Sequence, residues 1–168
     1  MTTSPLQLAL ATAAIANKGQ LLMPQVMMHS QSKNGDLFEE QNLKSNQIPI
    51  KDINNWELII EAMKQTVYGK FGTAKRLNNK LKYSLAGKTG TAQVFGLDPE
   101  EEYIAENIEE KLRDHALFTG FAPIEDPQVA IAIIVENAGS GSSKAAPLAR
   151  ELLDEYFIKN PVELNTLN

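Results

Sequence analysis

The sequence predicts an α+β fold, an antiparallel sheet flanked by helices, and three observations carry that prediction. Residues 53–68 set Trp56, Ile59, Ile60, Met63 and Val67 at three- and four-residue steps, the repeat of an amphipathic helix. Residues 115–122 and 128–136 have strand character and are joined by Pro123-Ile124-Glu125-Asp126-Pro127, short enough for an antiparallel connection. A third helical pattern, about 145–158, closes the chain. With 168 residues, 43% hydrophobic and 22% charged, the composition is that of one globular domain and not of a disordered chain.

Each element has its own signals. Residues 6–16 are apolar, and Ala14-Ile15-Ala16 imitates a signal-peptidase site. No Lys or Arg precedes the run, and Gln7 and Thr12 interrupt it, so it reads as a buried helix. Ser4 caps that helix, Pro5 suits its first position and Gln7 completes a Ser-x-x-Gln capping box. Asn17-Lys18-Gly19 supplies a basic last turn and a glycine stop. Apolar residues on every side of the helix imply burial in a larger body. The isolated chain is therefore expected to expose an apolar patch and to associate.

Residues 20–40 read as a hairpin with arms 21–29 and 36–40 about a two-residue Asn34-Gly35 turn. Met23, Met27 and Met28 are expected to pack within it. Asn54-x-x-Glu57 and Gly69 bracket the helix at 53–68, with Trp56 in the core. A connector (69–80) leads into a strand-like stretch at 81–95. Residues 98–114 carry eight acids against Lys111 and Arg113, a local charge of −6 that leaves +1 for the rest. Ile104, Ile108 and Leu112 give this island the stripe of a short surface helix. The run from Val129 to Val135 is apolar on both faces and is expected to be the central strand. The last helix is expected to pack through Leu148, Leu152, Leu153, Tyr156 and Phe157.

Composition excludes several functions. Sixteen Lys+Arg against twenty-one Asp+Glu give a net charge of −5, which disfavours nucleic acid as a partner. The absence of Cys removes disulfides, thiolate-ligated zinc and thiolate catalysis. His29 and His115 are too few for a His-rich metal site, and Glu100-Glu101-Glu102 reads as a solvated turn, so no metal and no cofactor is expected. No run reaches about 18 apolar residues, so no transmembrane helix is expected. Asp114-His115 is a poor half of a Ser-His-Asp triad because adjacent strand residues point to opposite faces; His115 is read as structural, at a strand entrance.

One motif carries chemistry: Gly87-Lys88-Thr89-Gly90-Thr91. A phosphate loop would need glycine at position 82, which is Lys, and a helix immediately after, whereas Thr91-Ala-Gln-Val-Phe95 prefers strand. The better reading is a Lys-Thr-Gly strand of active-site serine acyltransferases. A strand edge offers N–H and C=O groups to an extended peptide. Gly90 lets a substrate backbone approach closely. Lys88 places a cation where a substrate carboxylate and a serine nucleophile must be steered, and the hydroxyls of Thr89 and Thr91 add hydrogen bonds to that carboxylate. Alternation puts Lys88 and Thr89 on opposite faces, so a site using both must wrap the strand's edge.

Three segments extend this into a resemblance: Thr3-Ser4-Pro5-Leu6-Gln7-Leu8-Ala9, Ala86-Gly-Lys-Thr-Gly-Thr-Ala-Gln-Val94, and Leu112-Arg-Asp-His-Ala-Leu-Phe-Thr-Gly-Phe-Ala-Pro123. Together they resemble the C-terminal part of the transpeptidase domain of class B penicillin-binding proteins. The Phe-Gly-Leu after the motif, the acidic insertion 98–114 and Arg113-Asp114-His115 are most similar to the elongation-specific branch. The resemblance spans residues 4–157 and implies a partial penicillin-binding/serine β-lactamase-like fold across 1–168. It further implies a peptidoglycan DD-transpeptidase. Such an enzyme takes the D-Ala-D-Ala end of a stem peptide onto a serine, expels D-Ala and passes the acyl group to a neighbouring amine. β-Lactams trap the same serine. On this resemblance Lys88 and Thr91 are catalytic, Lys88 shaping the nucleophile's electrostatics and the Thr91 N–H forming half of an oxyanion hole. Thr89, Gly90 and Thr91 bind substrate. The implied partners are the stem peptide, β-lactams in the complete domain, the N-terminal half of the domain and elongation-complex membrane proteins. The implied location is the periplasmic face of the bacterial inner membrane, with the anchor outside this chain.

The family also uses a Ser-x-x-Lys nucleophile and a Ser-x-Asn loop upstream. Ser30-Gln-Ser-Lys33 and Ser32-Lys-Asn34 match as strings, but they overlap in the expected hairpin turn. A nucleophile with Lys three residues on must start a helix, and the second motif must approach from a separate loop. The chain is therefore expected to contain no nucleophile and to be inactive alone. Two alternatives stay open: a fragment of a related serine β-lactamase or DD-carboxypeptidase, and a non-catalytic carboxylate-binding, peptide-binding or structural module.

Overall fold

The apolar runs of the second half pair with one another. β5 (Ala86–Ala92), β6 (His115–Ala122) and β7 (Val129–Val135) form an antiparallel sheet in the order β5-β6-β7. The structure is a computed structural model and describes residues 2–26, 29–31, 37–39, 45–94 and 108–161. Strand alternation sorts the sheet's side chains into two layers. Ala116, Phe118 and Ala122 of β6, with Ile131 and Ile133 of β7, pack with Ala145, Ala149 and Leu153 of α3 (Ala145–Lys159). On the other face Ala86 and Phe121 meet Ala16 of α1 (Pro5–Ala16) and Ile60 and Met63 of α2 (Asn54–Tyr68). This is the expected α+β architecture.

One expectation about the sheet is corrected. β6, not β7, is the central strand, and among the described residues β7 pairs on one side only. Its two apolar faces answer to helices, α1 on one and α3 on the other. Covering both faces gives the same all-apolar run that a central position would, so hydropathy cannot separate the two.

The first helix follows its N-terminal signals, but it ends at Ala16, so Lys18 lies beyond the last turn and does not make that turn basic. Ser4 Oγ accepts from the Gln7 N–H at 3.2 Å and Gln7 Oε1 accepts from the Ser4 N–H at 2.8 Å, closing the capping box. The chain then turns through Lys18 and Gly19, both at positive φ (50° and 93°). A β-carbon on Gly19 would lie 2.7 Å from the buried Trp56 ring, so this position needs glycine for conformation and for space. Trp56 is core, as expected. The start of α2 differs from the reading. Asn54 does not cap it; Asp52 Oδ1 accepts from the Asn54 N–H at 3.0 Å.

The expected hairpin is two nested ladders. β2 (His29–Gln31) pairs with β3 (Leu37–Glu39) in a register centred on residue 34, not the register that a two-residue turn at 34–35 sets. The turn itself, with Met27 and Met28, lies outside the described residues, and Met23 is exposed rather than packed. β1 (Gln20–Leu22) pairs with β4 (Ser45–Gln47), a polar strand without alternation to mark it. The expected strand at 81–95 shortens to β5, preceded by a 3-10 turn at Lys75–Asn78. Of the acidic island, residues 98–107 lie outside the described residues; Ile108 is not helical, and Glu110–Leu112 is a single 3-10 turn. In α3 the buried stripe is Ala145, Ala146, Ala149 and Leu153, whereas Leu148 and Leu152 are 42% and 57% exposed. Alanines carry the packing because α3 lies close against the sheet.

A polar network ties α3 to the segment before β5. The Tyr83 ring packs on Phe157, its O–H donates to Asp154 Oδ1 at 2.8 Å, and Arg150 Nε reaches Asp154 Oδ2 at 2.7 Å. Arg150 also donates to the carbonyls of Leu77, Asn79 and Lys80. Burial, with Asp154 beside it, pushes the Tyr83 phenol well above the ordinary tyrosine range. An unfolded tyrosine ionises near about pH 10. Above that pH the unfolded chain binds fewer protons than the folded one, so stability falls as pH rises. The melting midpoint should drop between about pH 9 and 11, and Tyr83→Phe should flatten that limb. Circular dichroism melts across the range check it; equal slopes in both proteins would refute the assignment.

Candidate active site

Lys88, Thr89, Gly90 and Thr91 lie on β5, which among the described residues pairs with β6 alone. Among those residues no strand pairs with its other margin. The strand continues through Ala92, which removes the helix that a phosphate loop requires. The expected alternation holds. Lys88 lies opposite Thr119 on the face shared with Phe121, whereas Thr89 lies opposite Phe118 and Thr91 opposite Ala116 on the α3 face. Beneath the Lys88 face, Thr12 of α1 bonds Thr119 and donates to the Leu8 carbonyl at 2.8 Å, fixing that neighbour.

Two glycines seat the strand. Gly87 and Gly120 lie directly opposite each other, and a β-carbon on Gly87 would fall 2.4 Å from Phe118 Cζ, so the buried Phe118 ring occupies the space they leave. Lys88 is exposed, and its Nζ donates to the Thr89 carbonyl at 2.5 Å. In an antiparallel ladder alternate residues turn both main-chain groups away from the partner. A Thr89 carbonyl capped by Lys88 fits Gly87, Thr89 and Thr91 as the outward set, which puts the Thr91 N–H on the open margin.

The loop after α2 forms a second wall. Thr73 Oγ1 lies 2.7 Å from Thr89 Oγ1, and Thr89 is only 9% exposed. Beside them is a hollow of about 410 Å³ reached by Gln65, Thr66, Lys70, Phe71, Thr73 and Lys88. It is lined by two lysines and no carboxylate, in a chain of net charge −5. Phe71 is 89% exposed, with Lys70 Nζ 5.4 Å from its ring centre. Such a hollow favours an anion and repels an ammonium.

Other candidates lie elsewhere. His115 Nδ1 accepts from the Asn137 N–H at 3.0 Å, and the Asp114 carbonyl accepts from Gly139, so this pair shapes the turn after β7. Ser30 lies in β2, not at the start of a helix, and residues 32–34 are outside the described residues. Among the described residues no cluster of three metal-ligating side chains occurs.

The description of the penicillin-binding protein transpeptidase domain matches residues 1–154. The chain belongs to that family. Its relatives include the peptidoglycan D,D-transpeptidase MrdA of Haemophilus influenzae, 37% identical over 156 residues that make up 93% of this chain and 24% of the relative. Penicillin-binding protein 2 of Pseudomonas aeruginosa superposes with a TM-score of 0.73 at 34% identity, covering 99% of this chain and 32% of that one. A complex of Helicobacter pylori penicillin-binding protein 2 with MreC gives 0.68 at 28% identity, covering 93% of this chain and 25% of that one. The chain thus spans about a quarter of the length of the curated relatives it matches. The expected resemblance to the elongation-specific branch of the penicillin-binding proteins is borne out by these matches.

Two residues packed against this strand carry no signal in the sequence. Thr73 reaches Thr89 from 16 residues away. Gly141 packs so closely on the strand that its β-carbon would meet the Gly90 carbonyl. Gly72-Thr73-Ala74 and Gly139-Ser-Gly-Ser-Ser143 look like ordinary connectors, and only the folded chain brings them to the motif.

Proposed function

We propose that this chain is the Lys-Thr-Gly portion of a peptidoglycan DD-transpeptidase of cell-wall elongation, working by an acyl-serine mechanism. The observation that carries the reading is β5, extended along an open sheet margin with Lys88 exposed on it. An extended stem peptide ending in D-Ala-D-Ala adds to that margin by main-chain hydrogen bonds. Lys88 steers the carboxylate and the serine, and the Thr91 N–H receives the oxyanion as the scissile carbonyl becomes tetrahedral. Thr89, Gly90 and Thr91 hold the terminal residue. Departure of D-Ala leaves an acyl-serine, which an amine of a second stem resolves; a β-lactam stops at the acyl stage.

The serine belongs to a separate part of the domain carrying Ser-x-x-Lys and Ser-x-Asn. Two features support that part docking against β7. Among the described residues the strand pairs on one side only, and a groove of about 540 Å³ beside it is lined by Pro5, Ile133, Leu148 and Leu152. Exposed leucines on a helix and an apolar strand with one margin unpaired among the described residues are a poor surface for an isolated chain. The proposed setting is the periplasmic face of the bacterial inner membrane, with elongation proteins such as the MreC that the Helicobacter pylori relative binds. No described helix is long and apolar enough to cross a membrane.

Incubation with a fluorescent penicillin tests the reading. The purified chain alone should show no covalent band, and the chain assembled with the Ser-x-x-Lys part should show one. No band in either preparation would leave a non-catalytic carboxylate-binding module. A band in the chain alone that Ser30→Ala abolishes would overturn the assignment of the nucleophile to another part.

A further inference from the structure

The loop between α2 and the 3-10 turn is fastened from behind. The Gly69 N–H donates to the Gln65 carbonyl at 2.9 Å, Gly72 to Gly69 at 3.0 Å, and Ala74 to the Thr66 carbonyl at 3.0 Å. A β-carbon on Gly72 would lie 2.3 Å from that same Thr66 oxygen, and Ala74 is 2% exposed. Thr73 is thereby fixed relative to α2, and it spends its hydroxyl on Thr89, the residue between Lys88 and Gly90.

Each threonine hydroxyl has one proton and two acceptor sites, so a pair 2.7 Å apart leaves one proton uncommitted. Which hydroxyl donates depends on what else is present. A carboxylate at the open margin is a stronger acceptor than a neutral hydroxyl, and charge-assisted bonds are roughly twice as strong as neutral ones. Thr89 then gives its proton to the carboxylate and accepts from Thr73. Donation into an oxygen strengthens that oxygen's own donation. We propose that Thr73 is a positioning residue for the substrate's terminal carboxylate, acting through Thr89 by donating to it. This deepens the transpeptidase reading and rests on it.

The inference separates Thr73 from a residue that merely braces a loop. A brace affects all substrates alike, whereas this relay affects those presenting a carboxylate. The test uses the chain assembled with the Ser-x-x-Lys part and two peptides, one ending in free D-Ala-D-Ala and one in its C-terminal amide. Thr73→Val removes the proton and keeps the shape, and Thr73→Ser keeps the proton. In Thr73→Val, KM for the free acid should rise about three- to tenfold with kcat changed far less, while the amide's constants stay within twofold. Thr73→Ser should stay near the parent on both. Should Thr73→Val not fold, Thr73→Ala gives the same comparison without an added branch.

Equal losses on acid and amide, or no loss on either, overturn the relay while leaving the transpeptidase reading intact. A parent protein that neither peptide nor penicillin acylates overturns that reading and the relay with it.

Discussion

Replacing Lys88 by alanine should lower acylation of the assembled protein by fluorescent penicillin about 100- to 1,000-fold, with melting unchanged within about 2 °C. The two halves of that result have different causes. Lys88 is exposed, and its Nζ bond runs to the carbonyl of its own neighbour, so little folding energy rests on it. Its electrostatic role is expected to be large because it is one of two cations at a hollow without a carboxylate. A fixed charge aimed at developing negative charge acts without reorganisation during the reaction. Lys88→Arg keeps the charge but replaces a compact ammonium by a planar fork, and it should recover only part of the rate. Band intensity against time gives the rates. Acylation of Lys88→Ala within threefold of the parent would remove Lys88 from the machinery.

Legibility followed the range of the interactions. The capping box at Ser4 and Gln7 closes within four residues, so its signature and its geometry coincide. The β6–β7 pair is joined by a short connector and was readable for the same reason. Lys88, Thr89 and Gly90 were legible because a single strand presents them, and alternation alone fixes their faces. Failures began where a partner lies far off in sequence. The hydropathy of β7 predicts a central strand because it reports coverage, and coverage by α1 and α3 is indistinguishable from coverage by more sheet. Periodicity predicts Leu148 and Leu152 as core, and both are exposed, because it shows that a stripe exists without showing what faces it. Thr73 and Gly141 carry no local signal, since threonine and glycine are ordinary loop residues and their use here is set by contacts across the fold.

Gly141→Ala is the substitution through which folding and site chemistry fail together. A β-carbon there would lie 2.2 Å from the Gly90 carbonyl oxygen and 2.4 Å from that of Leu117. Both are main-chain atoms in paired strands, so no side chain can swing aside. Gly141 is not at positive φ, unlike Gly139 at 81°, so the cost is contact rather than conformation. Relief requires the loop to lift, and the same residue accepts from the Ala146 N–H in the first turn of α3 at 2.9 Å. Overpacking of this kind costs about 1–3 kcal/mol, which lowers the melting midpoint by about 2–10 °C in a chain of this size. Any residual push falls on Gly90, between Thr89 and Thr91, and acylation should fall at least about tenfold at temperatures where the variant is fully folded, since misplacement by about 1 Å costs about 100-fold. Melting curves and acylation rates measured on one preparation separate the two effects. A variant with the parent's melting temperature and rate would mean that the loop moves freely and that β5 does not depend on it.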